Sequence, residues 1–157
     1  MLNLVPDTDP ILRKVAAEVT DFEDPSLRSL VDEMHHVMDH HNGIGLAAPQ
    51  VGISRKILVA KFHGADYAYI NPEIVEATGT RESGEGCLSF PGLFLPIKRA
   101  QTVTVKYKNI LGIEQTQTLS GLPAVVMQHE IDHLNGIVFT SKVSQMQLLL
   151  SKKKLKR

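Results

Sequence analysis

One segment limits the fold of this chain more than any other. LPAVVMQHEIDHL, Leu122 to Leu134, carries apolar residues at helical spacing. A helix that is apolar over most of its circumference belongs inside a structure rather than on its surface. Here it would take two histidines and a glutamate into the core with it. A buried histidine needs a partner, and a metal ion supplies one. The rest of the chain must therefore wrap this helix.

The surrounding pattern says how. PSLRSLVDEMHHVMDHH, Pro25 to His41, has Leu27, Leu30, Val31, Met34, Val37 and Met38 at spacings of three and four, which predicts an amphipathic helix stopped by Asn42-Gly43. ILVAKF (Ile57–Phe62), DYAYINP (Asp66–Pro72), TVTVKYK (Thr102–Lys108) and EQTQTLS read as strands, the last two joined by a Gly-containing hairpin. Ser120 is a candidate cap for the central helix, and Asn135-Gly136 a candidate end. PGLFLPIK (Pro91–Lys98) reads as an apolar loop, and Val143 to Arg157 as a short C-terminal helix with a ragged end. The expected class is α+β, with mostly antiparallel sheets packed around a central helix that carries HExxH, an N-terminal helix and a short C-terminal one. With 157 residues, a single domain over 1–157 is expected.

Bulk properties exclude some partners. Lys+Arg and Asp+Glu both number 17, so net charge gives no argument for nucleic acid or acidic lipid, and only the end SKKKLKR is basic. A single cysteine, Cys87, cannot form an internal disulfide. The N-terminus has no signal-peptide pattern and no stretch approaches the ~18 apolar residues of a membrane span. A cytoplasmic protein without membrane contact is the expectation.

The chemistry sits in QHEIDH. Residues i and i+4 share a helix face, so His129 and His133 can face one ion, and Glu130 can reach a water there without being a ligand. A catalytic ion of this type keeps about three protein ligands and one open position. The 24 residues after His133 (157 minus 133) contain no His, Glu, Asp or Cys, so a third ligand must lie upstream. Cys87 in EGCLS is one candidate; a structural cysteine is the ordinary alternative. The pair His36 and His40 is another i,i+4 set, but it reads as the solvated face of the first helix. His63 stands alone.

Three motifs then occur in order: GIGLAAPQ (Gly43–Gln50), EGCLS (Glu85–Ser89) and QHEIDH (Gln128–His133). Together they resemble the three signature motifs of the peptide deformylases, over nearly the whole chain. The resemblance implies a metal-dependent hydrolase that removes the formyl group from N-terminal formylmethionine of new polypeptides. It implies Cys87, His129 and His133 as metal ligands, with Fe²⁺ as the cellular ion and Zn²⁺, Ni²⁺ or Co²⁺ able to substitute. It implies Glu130 as the proton carrier, with the Gln50 side chain and the Leu88 N–H as oxyanion donors. Gly45 would bond the peptide main chain, Ile44, Leu122, Val125 and Val126 would line the methionine pocket, and Glu85 with Arg99 would support the ligands. Substrate is then a nascent chain, with a possible ribosome contact through the basic tail, and a monomer is expected. The apolar 91–98 segment departs from many relatives, which leaves the handling of residues beyond methionine open.

Two other classes compete. A small HExxH metallopeptidase of aminopeptidase type would share QHEIDH but would not need the other two motifs. A non-catalytic metal-stabilised domain would usually close its site with four ligands, and only three candidates are present.

Overall fold

The computed structural model describes residues 1–155. Seven strands and three α-helices are present among them. Helix α1 (Pro25–His40) starts where the Asp24 carboxylate accepts a hydrogen bond from the Ser26 N–H, with Pro25 pre-set for a first turn. Its buried stripe is Leu27, Val31, Met34, Val37 and Met38, as the spacing predicts. His36 and His40 are exposed, as is His63.

Strands β1 (Gly45–Ala47), β2 (Ile57–Phe62), β3 (Ala65–Thr78), β6 (Thr102–Lys108) and β7 (Glu114–Ser120) form an antiparallel sheet in the order β1-β2-β3-β6-β7. Strands β4 (Arg81–Cys87) and β5 (Phe90–Arg99) form a separate two-stranded sheet. Helix α1 packs on one part of the large sheet through Met34, Met38, Ile57 and Val59. Helix α2 (Leu122–Leu134) packs on the rest through Ala124, Met127 and Ile131 against Leu58, Tyr69 and Val103. A third apolar cluster joins β5 to Leu12 and Phe139.

The structure corrects several expectations. The segment 91–98 is strand, not loop. From Leu93 to Arg99 its residues alternate strictly between buried and exposed, with Leu93, Leu95 and Ile97 inward. Pro91 and Pro96 hide this period, yet a two-stranded sheet has open edges where a missing N–H is tolerated. Strand β3 runs past Pro72 to Thr78, because a register shift between Ile70 and Glu73 absorbs Asn71 and Pro72. Asn71 has φ +51, and its side chain both accepts from Val19 N–H and donates to Val19 C=O, each at 2.9 Å.

Ser120 does not cap α2. It ends β7 opposite Thr102, its hydroxyl 2.8 Å from the Thr102 hydroxyl. Gly121 makes the corner instead, with φ +72. Its N–H donates to Gln101 C=O and its carbonyl accepts from Val125 N–H. On helix α3 (Gln145–Leu155) the apolar residues divide between the inside and the surface. Leu148 and Val143 meet the third cluster and Ser151 is buried, while Met146, Leu149 and Leu150 are exposed. Lys156 and Arg157 of the basic tail lie outside the described residues.

The N-terminal segment closes over the end of α2. Ala16 N–H donates to Leu134 C=O, and Gly136, at φ +73, lets the chain turn against Arg13. A Cβ at Gly136 would sit 2.8 Å from the Arg13 carbonyl oxygen. Gly136→Ala is therefore expected to lower stability by about 1–3 kcal/mol. It should appear as a lower urea midpoint at unchanged m-value and matched metal loading. An unmoved midpoint would show that the N-terminal segment does not depend on this contact.

Candidate active site

Helix α2 is buried on almost every side. His129 and Glu130 are within the core at its midpoint, and His133 has no exposed surface. Cys87 ends β4, where its strand meets this helix. One ligand atom from each of Cys87, His129 and His133 lies within 4.8 Å of the other two. The Cys87 sulfur is 3.4 Å from His133 Nε2. A thiolate and two imidazoles at this spacing are a donor set for a borderline divalent ion. The fold thus brings an upstream donor, Cys87, to the histidine pair.

The two rings sit in opposite electrostatic surroundings. Burial, with the positive neighbours His129 and Arg99, pushes His133 down to about 3, so its ring is neutral. Burial also opposes a charge on His129. The Cys87 sulfur and Glu85 carboxylate outweigh it and hold the pKa up to about 10, so the ring keeps a proton that an ion between these groups would have to displace. His133 Nδ1 and Glu130 Oε2 are buried with no hydrogen-bond partner.

Behind the cluster runs a chain of paired charges. His129 Nδ1 is 2.8 Å from Glu85 Oε1, which leaves Nε2 to face the cysteine. Arg99 holds the same carboxylate in a fork, Nε to Oε2 at 2.7 Å and Nη2 to Oε1 at 3.0 Å. Its third nitrogen, Nη1, donates to Asp132 Oδ2 at 2.7 Å, with Lys142 Nζ 3.7 Å from that oxygen. Burial would raise the Glu85 pKa, but His129 and Arg99 hold it below the usual carboxylate range. Fork geometry of this kind is a strong, directional contact.

Asp132 belongs to this network although the sequence reading gave it no role. The signal was available: a charged residue inside an apolar helix must find a partner. Gln128 is a second case. Its amide receives the Ala100 N–H at 2.9 Å and donates to the Ala100 carbonyl at 3.0 Å, which locks α2 to the turn after β5.

Gln50 is buried and held at both ends. Its oxygen accepts from Ala47 N–H at 2.8 Å. Its nitrogen therefore points to Ser89 Oγ, at 3.1 Å, and to the Cys87 sulfur, at 3.6 Å. Strand β1 lies so close to α2 that a Cβ on Gly45 would be 2.8 Å from Val126 Cγ1 and 3.0 Å from Glu130 Cγ. Only glycine allows that approach.

Cys87, His129, Glu130, Glu85 and Gly45 line one cavity of about 640 Å³. Ile44 and Gly45 form one wall, and Ser83 to Gly86 of β4 another. Leu122, Val125 and Val126 close the apolar end, while Cys87, Leu88, His129 and Glu130 lie at the polar one. Every residue that the sequence reading placed in the methionine pocket lines this space. His133, Gln50 and Arg99 stand behind it rather than on its surface.

The description "Polypeptide deformylase" belongs to the family model that matches residues 1–148. A peptide deformylase from Thermotoga neapolitana is 45% identical over 148 residues, covering 94% of this chain and 90% of that one. The crystal structure of a Legionella pneumophila peptide deformylase superposes with a TM-score of 0.93 at 38% identity, covering 99% of this chain and 94% of that one. An Acinetobacter baumannii peptide deformylase with Met-Ala-Ser bound gives a TM-score of 0.87 at 35% identity, covering 90% of this chain and 98% of that one. With a family match across nearly the whole length, the same order of motifs and the same fold, this chain belongs to the polypeptide deformylase family.

Proposed function

We propose that this chain, acting as one catalytic domain over 1–157, hydrolyses the formamide of N-terminal formylmethionine on new polypeptides and releases formate. The observation that carries this reading is the Cys87, His129 and His133 cluster beside a buried Glu130, whose Oε2 has no hydrogen-bond partner, in an otherwise apolar cavity. Cys87, His129 and His133 would hold one divalent ion, Fe²⁺ in the cell by resemblance to the family. When bound, such an ion supplies Lewis acidity toward water and the formyl carbonyl near neutral pH.

The chain's own residues do the rest. Burial pushes the Glu130 pKa up to about 7, where a carboxylate can both take and return a proton. It accepts a proton from the attacking water and delivers it to the departing amine nitrogen. The Gln50 Nε2–H and the Leu88 N–H donate to the formyl oxygen as it gains negative charge. Gln50 is suited to this because its oxygen is already tied to Ala47, so the amide needs no reorganisation. Ile44, Val125, Val126 and Leu122 hold the methionine side chain, and the Gly45 main chain aligns the peptide.

The aminopeptidase reading is disfavoured by the same cavity. A free α-ammonium needs an available carboxylate. Among the described residues, the lining contains only two, Glu85 and Glu130. Glu85 is already engaged by Arg99 and His129, and Glu130 is taken up by the proton-carrying role that either hydrolysis would need. A blocked, uncharged formyl end suits such a site better.

A nascent chain as substrate supports a cytoplasmic enzyme that works near ribosomes. We propose that the basic end contacts ribosomal RNA. Lys152, Lys153 and Lys154 are exposed on the last turns of α3. Such contact is sequence-independent and salt-sensitive. Replacing these three lysines by glutamate should abolish co-sedimentation with ribosomes at low salt. A variant that still sediments like the parent removes the tail from docking.

The function itself is tested by formate release from formyl-Met-Ala-Ser, run without oxygen on protein loaded with Fe²⁺ and then with Zn²⁺. Glu130→Gln should retain its metal and lose roughly 10²–10⁴-fold in turnover. A variant within about threefold of the parent would take the proton-carrying role away from Glu130. Release from free Met-Ala-Ser of methionine, and not of formate from its formylated form, would instead support the aminopeptidase.

A further inference from the structure

We propose that the mouth of the cavity selects formylated chains whose residues just after methionine are apolar or aromatic, and that Phe94 sets this preference. The inference rests on the deformylase reading above and concerns substrate choice within it.

Phe94 lies on β5 in the outward phase, between the buried Leu93 and Leu95, and is 67% exposed. An exposed phenylalanine is usually free to swing. This one is seated. It pairs in register with Gly86, the residue before Cys87. A Cβ at Gly86 would fall 2.8 Å from Phe94 Cε1, 3.2 Å from Cδ1 and 3.5 Å from Cζ. The ring therefore lies over Gly86, in the space that a side chain there would fill, and lines the cavity beside Cys87.

Leu122 at 56% and Ile44 at 44% are also exposed on this cavity, and methionine covers them in the reading above, which leaves Phe94 as the large apolar side chain still uncovered. Such exposure costs free energy in water unless a ligand covers it. Charged groups are placed in the opposite way. Among the described residues the lining contains no Lys, Arg or Asp, and its two glutamates are buried. A charged side chain entering the mouth loses part of its water, and among the described lining residues the only basic group outside the buried cluster is the exposed His41. An extended peptide advances about 3.3 Å per residue with side chains on alternating sides. With methionine in the inner pocket, the next two residues must cross this mouth, and one of them faces Phe94.

The test is kcat/KM for two peptide series, formyl-Met-X-Ser and formyl-Met-Ala-X, with X as Phe, Leu, Ser, Asp and Lys. In at least one series Phe and Leu should exceed Ser by roughly three- to tenfold, with Asp and Lys below Ser. In that series Phe94→Ser should bring the Phe:Ser ratio to within about twofold, while Phe94→Tyr keeps most of it. A wild-type protein that treats all five residues alike in both series overturns the proposal without any variant. So does a preference that survives Phe94→Ser. Loss of turnover on every formylated peptide would instead be failure of the deformylase reading, which flat but active series would leave standing.

Discussion

The Glu85 carboxylate is the contact on which the site depends. It sits where β4, β5 and α2 meet, and it is bonded from two of them: by Arg99 of β5 and by His129 of α2. Arg99 reaches on to Asp132, one turn further along α2. Both members of the central pair are almost fully buried. Removing one partner of a buried pair generally costs about 3–5 kcal/mol, because the other charge is left unpaired. The two-stranded sheet and the central helix are thus fixed to one another by charge as well as by packing. That registration puts the end of β4, and with it Cys87, against the two histidines.

The cavity follows from the same arrangement. Strand β1 is an edge of the large sheet, and β4 belongs to the small one. The space between them is lined by main chain from Gly45 on one side and from Ser83 to Gly86 on the other. An extended peptide can lie there with main-chain groups to bond on both sides. Glycines serve this architecture at two points. Gly45 lets β1 approach Glu130, and Gly86 makes room for the Phe94 ring. Polar chemistry is confined to the end next to α2, where burial sets the protonation of His133 and Glu130.

Much of the site was legible because its chemistry demands fixed spacings. A histidine pair at i,i+4 with an intervening glutamate identifies a helix and its inward face. The absence of any donor after His133 pointed upstream, and EGCLS held the only cysteine. What was missed has physical causes. Pro91 and Pro96 concealed the period of β5, and Pro72 concealed the length of β3, since open edges and bulges tolerate proline. The roles of Asp132 and Gln128 depend on partners more than 25 residues away in sequence, Arg99 and Ala100. Spacing within one helix carries no information about them. On α3 the run of leucines and methionine contains more apolar positions than one face can bury, so the pattern did not decide which side faces in.

If Glu85 and Arg99 work as one unit to orient His129, their removal must be coupled. A double-mutant cycle of Glu85→Gln and Arg99→Met, read as Zn²⁺ affinity in competition with a chromogenic chelator, measures this directly. Each single change is predicted to weaken binding by roughly 10–100-fold, and the double change to weaken it no further than the worse single. Effects that multiply in the double variant would contradict the account, because the two residues would then act on the site independently.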